Sequence, residues 1–381
     1  MTLYDCVILG AGPAGASAAY HLAKAGRSVL LLEKATLPRY KPCGGGVSPQ
    51  IAQWFDFDFE PVISARVNEF CFTWKQGEEV TTQMAPGECI WMVRRDQFDY
   101  FLVQQALGQG AALQEGTKAL GLNFTQDRWV VNSDQGPFQG RYLIAADGAK
   151  GLGAQWLGFR RRQVLTAGAV EIEPRLTVPH PQRAYFEFGL LNNGYVWNFP
   201  KADGYSLGSG VFNSRQRQSR DLIPSLERYS KDFGVDATQS KLYGHPILLW
   251  NGPQTLHTQQ ALVAGEAAGV VDPFTAEGIR PAIHSALEAA KAVDRALAGD
   301  LDALANYSRI MATEWGGEMR WAQRLSALFY RFPRLSYQLG VQSSSGAAQM
   351  LRVFSGDASY RETVEKIQRK FTAKLGSAFS F

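Results

Sequence analysis

The chain has 381 residues, of which 45% are hydrophobic and 19% are charged, and its formal net charge is +4. This length suggests about two or three domains, and the apolar content suffices for a large buried core, which excludes a wholly disordered protein. The small and dispersed positive charge argues against nucleic acid as a partner, although it is compatible with loose attraction to an anionic membrane.

The cysteines give no sign of a disulfide framework or a metal site. Cys6, Cys43, Cys71 and Cys89 are far apart, form no CxxC pair and have no histidine at metal-ligand spacing. The sequence also contains no run of about 18 apolar residues and no pattern typical of a cleavable signal. We expect a cytoplasmic protein, with contact to a membrane surface left open.

The first 33 residues carry a complete βαβ pattern. Residues 7–9 read as a buried parallel strand, residues 16–25 as a helix, and residues 28–32 as a second strand. The first strand runs into G-x-G-x-x-G, and an acidic residue stands 18 positions after the last glycine of that motif. The pattern predicts a dinucleotide whose pyrophosphate meets backbone N–H groups and whose ribose meets the acid. The residues involved are Gly10, Gly12, Pro13, Ala14, Gly15, Glu33 and Lys34.

Three later segments resemble the flavin-site motifs of flavoprotein hydroxylases and their reductase relatives. Residues 94–99 (RRDQFD) are similar to the arginine motif, residues 142–149 form an apolar strand ending in Asp-Gly, and residues 261–269 form another ending in Gly-Glu. The resemblance implies that the cofactor is FAD and that the acid of the third segment meets its ribityl chain. This acid is Glu where the family usually has Asp. The cofactor residues so implied are Arg95, Asp147, Gly148, Gly265 and Glu266.

A helix is predicted for residues 282–297, after the segment EGIRP at residues 277–281. Its amino end, at Gly278 and Ile279, is expected to point at the flavin pyrimidine, where backbone N–H groups stabilise negative charge. The alternative is a helix that serves packing alone.

Two segments narrow the resemblance to the geranylgeranyl reductase family. Residues 41–48 (KPCGGGVS) match its K-P-C-G-G loop at the flavin, and residues 195–200 (YVWNFP) match its Y-x-W-x-F-P motif. Residues 272–279 and 245–247 are similar to two further family segments, and the resemblance spans about residues 3–330. It implies an FAD-dependent reductase that saturates double bonds of a polyprenyl chain on a lipid, a quinone or a pigment precursor.

Cys43 is the candidate catalytic residue. An isolated double bond has no carbonyl to hold negative charge, so hydride transfer to one carbon requires near-simultaneous protonation of the other. Cys43 is the candidate proton donor, or a redox partner that assists the flavin, and Gly44 and Gly45 bring the loop to the cofactor. The alternative is that Cys43 only shapes its loop.

An aromatic strand supplies the candidate substrate surface. Tyr195, Trp197 and Phe199 alternate along a strand that ends at Pro200, so the three rings face one side of the sheet. Such a face suits a prenyl chain because it offers apolar area and π surface. An ordinary sheet core is the alternative.

We therefore predict an α/β protein in which a Rossmann-like FAD-binding domain contains an inserted antiparallel substrate-binding sheet and is followed by a helical region. The FAD-binding domain is expected at residues 1–67, 96–163 and 253–330, the single inserted sheet at 68–95 and 164–252, and the C-terminal helical region at 331–381. Aromatic and arginine residues between positions 315 and 337 either seat the protein at a membrane or pack on its body.

No second G-x-G-x-x-G motif follows, so the electron donor is expected to bind transiently, as NAD(P)H or as a ferredoxin-like protein. Two other functions stay open on sequence grounds. One is an FAD-dependent monooxygenase that hydroxylates an aromatic or quinone substrate. The other is a flavin-holding carrier without turnover.

Overall fold

A computed structural model describes residues 2–159, 166–212, 218–366 and 369. Its strands in chain order are β1 (Leu3–Leu9), β2 (Val29–Leu32), β3 (Gly46–Val47), β4 (Ala65–Val67), β5 (Glu69–Trp74), β6 (Gly77–Gln83), β7 (Ile90–Met92), β8 (Ala112–Gln114), β9 (Ala119–Thr125), β10 (Arg128–Ser133), β11 (Gly136–Ala145), β12 (Thr166–Ile172), β13 (Arg183–Phe188), β14 (Gly194–Lys201), β15 (Gly204–Val211), β16 (Tyr243–Leu248), β17 (His257–Thr258) and β18 (Ala261–Val263). Its α-helices are α1 (Pro13–Lys24), α2 (Arg95–Gly108), α3 (Gly153–Trp156), α4 (Leu222–Ser230), α5 (Ile279–Leu297), α6 (Ala303–Ile310), α7 (Gly316–Arg331), α8 (Pro333–Ser336) and α9 (Ser344–Ser355).

The β1–α1–β2 unit forms as the sequence predicts, except that α1 begins three residues before the expected position 16. Gly12 is its N-cap and Pro13 its first residue. Proline suits this position because its fixed φ matches the helix and because the first N–H groups of a helix have no intrahelical hydrogen-bond partner. Small buried side chains such as Ala16 and Ala19 let the helix lie close to the sheet.

The first sheet has the order β17-β18-β11-β1-β2-β8, and the β9–β10 hairpin continues from β11. Strands β18, β11, β1, β2 and β8 run parallel. Parallel strands end at the same edge of a sheet, so the segments that follow β1, β2, β11 and β18 meet there. This edge carries the glycine turn and the acidic residues that the sequence predicts for the cofactor.

The second sheet has the order β16-β12-β15-β14-β13-β5-β6 and is antiparallel except for the β13–β5 pair. Helix α4 packs on one face, where Val196, Leu207 and Leu226 form a small core. The other face turns toward the carboxyl edge of the first sheet. This Rossmann-like core with an inserted sheet confirms the predicted fold class.

The prediction that the inserted segments form a single sheet is wrong for β7. This strand pairs with β3 and β4 in a separate three-stranded sheet, while β6 ends the second sheet. Hydrophobic alternation along residues 90–92 indicates a strand, but it does not indicate which other strand this one pairs with. As a result, β7 lies beside the segment that follows Cys43.

The C-terminal helices pack on the second sheet. Tyr337 is fully buried and hydrogen-bonds the carbonyl oxygens of Phe72 and Glu78, at 3.0 and 2.8 Å. The Tyr360 hydroxyl donates to Asp272 at 2.5 Å. Of the predicted helical region 331–381, the structure describes residues 331–366 and 369, most of which are helical; residues 367, 368 and 370–381 lie outside the described ranges. Within the described ranges, no helix combines the length and the hydropathy that a bilayer crossing requires.

Candidate active site

A cavity of about 600 Å³ lies between the carboxyl edge of the first sheet and the open face of the second. It brings together residues that are more than 260 positions apart in the sequence, as expected for a ligand site at the end of parallel strands. The predicted site residues that line it are Gly10, Gly12, Pro13, Ala14, Glu33, Lys34, Cys43, Gly44, Gly45, Arg95, Asp147, Gly148, Tyr195, Trp197, Phe199, Glu266, Gly278 and Ile279.

Three predicted residues do not line the cavity, namely Gly15, Gly265 and Pro200. An ideal Cβ at Gly15 lies 1.8 Å from the Gly10 carbonyl oxygen, and one at Gly265 lies 2.6 Å from the Ala14 Cβ. These two glycines therefore allow backbone segments to pack behind the cavity wall. Pro200 takes the opposite side of β14 from the aromatic residues, because side chains alternate along a strand.

Glu33 stands at the end of β2 and is 4% exposed. Its Oε2 accepts a hydrogen bond from the Ala11 N–H at 2.9 Å, and its Oε1 accepts one from the Ala35 N–H at 3.1 Å. Arg39 Nε lies 3.5 Å from the same carboxylate. The acid thus also supports the glycine turn, a contact that sequence spacing does not indicate.

Asp147 follows β11, and its Oδ2 accepts a hydrogen bond from the Gly153 N–H at 2.8 Å. Its Oδ1 is buried without a partner in the described part of the chain. Burial raises the pKa of this carboxyl group, and backbone hydrogen bonds led by that from Gly153 oppose the rise. An unpaired buried carboxylate oxygen at a cavity wall is available to a ligand hydroxyl.

Glu266 lies in a cluster with Lys41 and His245. Its Oε2 is 3.4 Å from His245 Nε2 and 3.8 Å from Lys41 Nζ, and its Oε1 accepts from the Leu248 N–H at 3.3 Å. Burial opposes ionisation of Glu266, but the His245 hydrogen bond and the Lys41 charge together hold its pKa below the ordinary value. The lysine of the K-P-C-G-G segment thus neutralises the acid of the third flavin motif.

Arg95 begins α2 and makes two hydrogen bonds of 2.8 Å to Asp99, which is fully buried. Arg39 also reaches Asp99, at 2.9 Å. Arg95 and Cys43 both line the cavity. The two hydrogen bonds to a buried carboxylate thus fix the Arg95 guanidinium at the same cavity wall as Cys43.

The loop that carries Cys43 lies against the aromatic strand. An ideal Cβ at Gly44 is 2.8 Å from the Phe199 ring and 3.4 Å from Trp197 Nε1, so only glycine fits there. Gly45 has φ +71°, a left-handed conformation that favours glycine. Tyr195, Trp197 and Phe199 all border the cavity, as the alternation along β14 predicts.

Several cavity residues were not predicted as site residues. Arg39, Glu171 and Phe354 line the cavity without belonging to a motif, and Lys201 contacts the Cys43 loop. His245 also lines the cavity; its segment 245–247 resembles the family, but no role was assigned to it. Phe354, from α9, stacks on Phe186 with ring centres 5.6 Å apart. For Lys201 a signal exists, because it continues the 195, 197, 199 series on the same face of β14.

The residues fit FAD. The carboxyl edge offers the amino ends of α1 and α5, an unpartnered Asp147 oxygen, and a Gly12 whose Cβ position has nothing nearer than 3.7 Å. The same cavity is lined by the Cys43 loop and the aromatic strand.

Comparison with known proteins supports FAD as the cofactor. Residues 4–191 match the family model described as FAD binding domain. An uncharacterized protein of Methanosarcina barkeri is 30% identical over 343 residues, covering 89% of this chain and 87% of the relative. A digeranylgeranylglycerophospholipid reductase of Methanocaldococcus jannaschii is 28% identical, covering 86% of each chain.

Among solved structures, a geranylgeranyl bacteriochlorophyll reductase-like protein of Thermoplasma acidophilum superimposes with a TM-score of 0.78. The match covers 93% of this chain and 92% of the other, at 20% sequence identity. At that identity the match establishes the fold.

Proposed function

This chain belongs to the geranylgeranyl reductase family of FAD-dependent oxidoreductases, and from that membership we propose that it saturates carbon–carbon double bonds of a polyprenyl chain. The carrier of the chain is a lipid, a quinone or a pigment precursor. The observation that supports this reading most strongly is that the Cys43 thiol and the aromatic strand border the same cavity as the dinucleotide turn.

The aromatic wall has the chemistry to hold an isoprenoid. Tyr195, Trp197 and Phe199 give a continuous π surface, with ring centres 6.2 and 6.3 Å apart along the strand. Phe186 and Phe354 extend this surface on the far side. A prenyl chain lying there is desolvated by apolar contacts and its double bonds are held in a fixed orientation.

Cys43 is the proposed catalytic residue. FAD, when bound in its reduced form, would supply the hydride. The chain itself would then deliver a proton to the second carbon, and we propose the Cys43 thiol, which borders the cavity, for this role. The aromatic wall excludes water that would otherwise exchange with the thiol.

The cofactor residues predicted from the sequence keep their proposed roles. Gly10, Gly12, Pro13 and Ala14 would meet the pyrophosphate, with Gly15 needed for packing behind them. The remaining proposed cofactor contacts are Glu33, Lys34, Cys43, Gly44, Gly45, Arg95, Asp147, Gly148, Glu266, Gly278 and Ile279, whereas Gly265, like Gly15, is assigned to packing behind the cavity wall. The three domains, with the boundaries given above, remain proposals. We also propose that the electron donor, NAD(P)H or a ferredoxin-like protein, binds transiently.

Contact with a membrane surface is part of the proposal, since polyprenyl lipids reside there. Leu328, Phe332, Leu335 and Leu339 are 47–51% exposed and recur every three or four residues along α7, α8 and the turn after them. Exposed Arg331 lies among them, which suits anionic lipid headgroups. On the inner side of α7, Tyr330 packs on cavity-lining Phe212, with ring centres 5.7 Å apart.

Vesicle sedimentation tests the membrane contact. We expect wild-type protein to sediment with vesicles containing anionic phospholipid, and Leu328→Asp combined with Leu335→Asp to remain largely unbound. Leu301→Asp is the matched control, because Leu301 is 96% exposed and lies outside this stripe. Equal binding of all three proteins would contradict the proposed surface.

Anaerobic reduction tests the function itself. The FAD of the purified protein is reduced by light without oxygen, and geranylgeranyl diphosphate, a geranylgeranylated glycerolipid and menaquinone are added separately. We expect at least one of these compounds to gain two hydrogen atoms per double bond, by mass spectrometry. Unchanged compounds with FAD still bound would favour a carrier, and a product that gains oxygen in air would favour a monooxygenase.

The role of Cys43 is tested in the same assay. General acids contribute about 10²- to 10⁴-fold, so Cys43→Ala should lower the rate by about a hundredfold or more while FAD stays bound. Cys89→Ala is the control, since Cys89 is a half-buried cysteine outside the cavity lining. Full activity of Cys43→Ala would refute its chemical role.

A further inference from the structure

Two charged side chains lie where a sheet interior normally holds apolar ones. Lys201 follows Phe199 on the inner face of β14 and is 0% exposed, and Glu171 on β12 is 2% exposed. Burying a charge is unfavourable unless hydrogen bonds compensate for the lost water, and an apolar pair of similar volume is often equally stable or more so. The hydrogen-bond partners of these two groups therefore indicate what they do.

Glu171 holds the Cys43 loop from its amino side. Its Oε1 accepts a hydrogen bond from the Cys43 N–H at 2.8 Å and another from the Tyr40 hydroxyl at 2.7 Å. Its Oε2 accepts from the Ser206 hydroxyl at 3.2 Å, and that hydroxyl in turn accepts from Trp197 Nε1 at 3.1 Å. One carboxylate thus connects the loop of the thiol to the aromatic wall.

Lys201 holds the same loop from its carboxyl side. Its Nζ donates to the carbonyl oxygens of Gly44 at 2.7 Å and of Val93 at 2.8 Å. The Val93 N–H donates to the Gly45 carbonyl at 2.8 Å. An ideal Cβ at Gly45 lies 2.6 Å from Lys201 Nζ, so the loop is pressed against the ammonium group.

The charges favour this arrangement. Burial lowers the pKa of Lys201 to about 8, and the nearby Cys43, Glu173 and Glu171 oppose the fall. Burial likewise raises the pKa of Glu171, opposed by the Tyr40 and Cys43 hydrogen bonds. An ammonium group that donates to two backbone carbonyl oxygens makes charge-assisted hydrogen bonds, which are stronger than neutral ones.

We propose that Glu171 and Lys201 are positioning residues, which together fix the Cys43 thiol relative to Trp197. Neither side chain is proposed to donate the proton or to bind the Sγ atom of Cys43. Each instead binds backbone atoms at or beside Cys43. The expected effect on catalysis rests on the proposed function. The claim that the two side chains fix the position of the Cys43 loop does not.

Thiol alkylation tests the structural claim without turnover. In a Cys89→Ser background, the FAD-bound protein is treated with N-ethylmaleimide, and modification of Cys43 is followed by peptide mass spectrometry. We expect Lys201→Met and Glu171→Ala to alkylate at Cys43 about tenfold faster or more, because each loses charge-assisted hydrogen bonds to the loop. Glu171→Gln keeps an acceptor oxygen for Cys43 and Tyr40, so its rate should stay within about threefold of the parent.

Glu69→Gln is the matched control, since Glu69 is a buried carboxylate of the same sheet paired with Arg183 at 2.8 Å, and neither residue lines the cavity. Its Cys43 alkylation rate should equal that of the parent. Buried Cys6 and Cys71 report general loosening of the fold. A parental Cys43 rate in Lys201→Met, or faster alkylation of Cys6 and Cys71 in step with Cys43, would overturn the proposal.

Should Lys201→Met not yield folded protein, Tyr40→Phe carries the same test, because it deletes one hydroxyl on the loop. Several-fold faster alkylation of Cys43 is expected, and an unchanged rate would overturn the proposal. Once a prenyl substrate is in hand, Lys201→Met should lower kcat about tenfold with KM for the lipid nearly unchanged. A rise in KM at constant kcat would instead assign Lys201 to substrate binding and refute positioning.

Discussion

Replacing Gly12 and Gly15 by alanine, one at a time, separates the space kept for a ligand from the space needed for packing. An ideal Cβ at Gly15 lies 1.8 Å from the Gly10 carbonyl oxygen and 3.4 Å from Ile8 Cγ2. At Gly12 the nearest atom to an ideal Cβ is Arg39 Nη2, at an ordinary contact distance of 3.7 Å. Only Gly15→Ala therefore forces the backbone to move.

The expected stabilities follow from these distances. Relieving the clash in Gly15→Ala requires a shift of roughly 1.5 Å between α1 and the end of β1. Overpacking of this kind lowers the free energy of unfolding by about 1–3 kcal/mol, and alanine regains about 0.5–1 kcal/mol over glycine inside a helix. We expect a net loss of about 1–2 kcal/mol, against a change within about 0.5 kcal/mol for Gly12→Ala.

The expected affinities for FAD show a different pattern. A methyl group at Gly12 enters the space where the pyrophosphate must approach the amino end of α1. Loss of one charge-assisted hydrogen bond corresponds to about 1.5–3 kcal/mol, so the dissociation constant of FAD should rise roughly 10- to 150-fold. Gly15→Ala should weaken FAD binding as well, because it displaces the turn.

Urea unfolding of the FAD-free proteins and fluorescence titration with FAD measure both quantities. The reasoning is refuted if Gly12→Ala binds FAD with wild-type affinity, or if it loses as much stability as Gly15→Ala.

Three further predictions concern other parts of the molecule. Burial beside the Phe55 ring, together with the charges of Lys24 and Lys291, lowers the pKa of His21 from 6.5 to about 4. As pH falls from 6.5 to 4, His21 is protonated in the unfolded state before it is protonated in the folded state, so the free energy of unfolding falls by at most about 3 kcal/mol. In His21→Phe, the free energy of unfolding measured in urea should therefore depend less on pH over that range. Asp99→Asn leaves the buried Arg95 guanidinium facing an amide, and urea unfolding should show a loss of about 3 kcal/mol, whereas an unchanged midpoint would contradict the ion pair. Trp197→Ala removes the centre of the aromatic wall, and steady-state kinetics should show KM for the prenyl substrate raised about tenfold, whereas an unchanged KM would place the lipid elsewhere.

The parts of the fold that local sequence dictates were predictable. The β1–α1–β2 unit follows from a buried apolar run, a glycine turn and a helix of small residues, each of which is a local property. The common face of Tyr195, Trp197 and Phe199 follows from the two-residue period of a strand. The resemblance to flavoprotein motifs connected segments that are far apart in the chain.

The features that depend on distant partners were not predictable. The pairing of β7 with β3 and β4 depends on backbone geometry that alternation does not encode. Glu171 occupies an inward position that hydrophobic patterning assigns to an apolar residue. The strand period places Lys201 on the face of the aromatic residues, but it does not indicate that the ammonium group binds the Cys43 loop. Phe354 reaches the cavity from a segment without any motif.

Single-turnover stoichiometry tests the central claim most directly. Protein whose FAD has been fully reduced without oxygen is mixed with an excess of a geranylgeranyl compound, and flavin oxidation and double-bond loss are measured in the same sample. We predict that one double bond is saturated for each FAD oxidised, and that both events slow together in Cys43→Ala. Flavin that stays reduced in the presence of bound lipid, or that is oxidised while every double bond remains, would contradict the account.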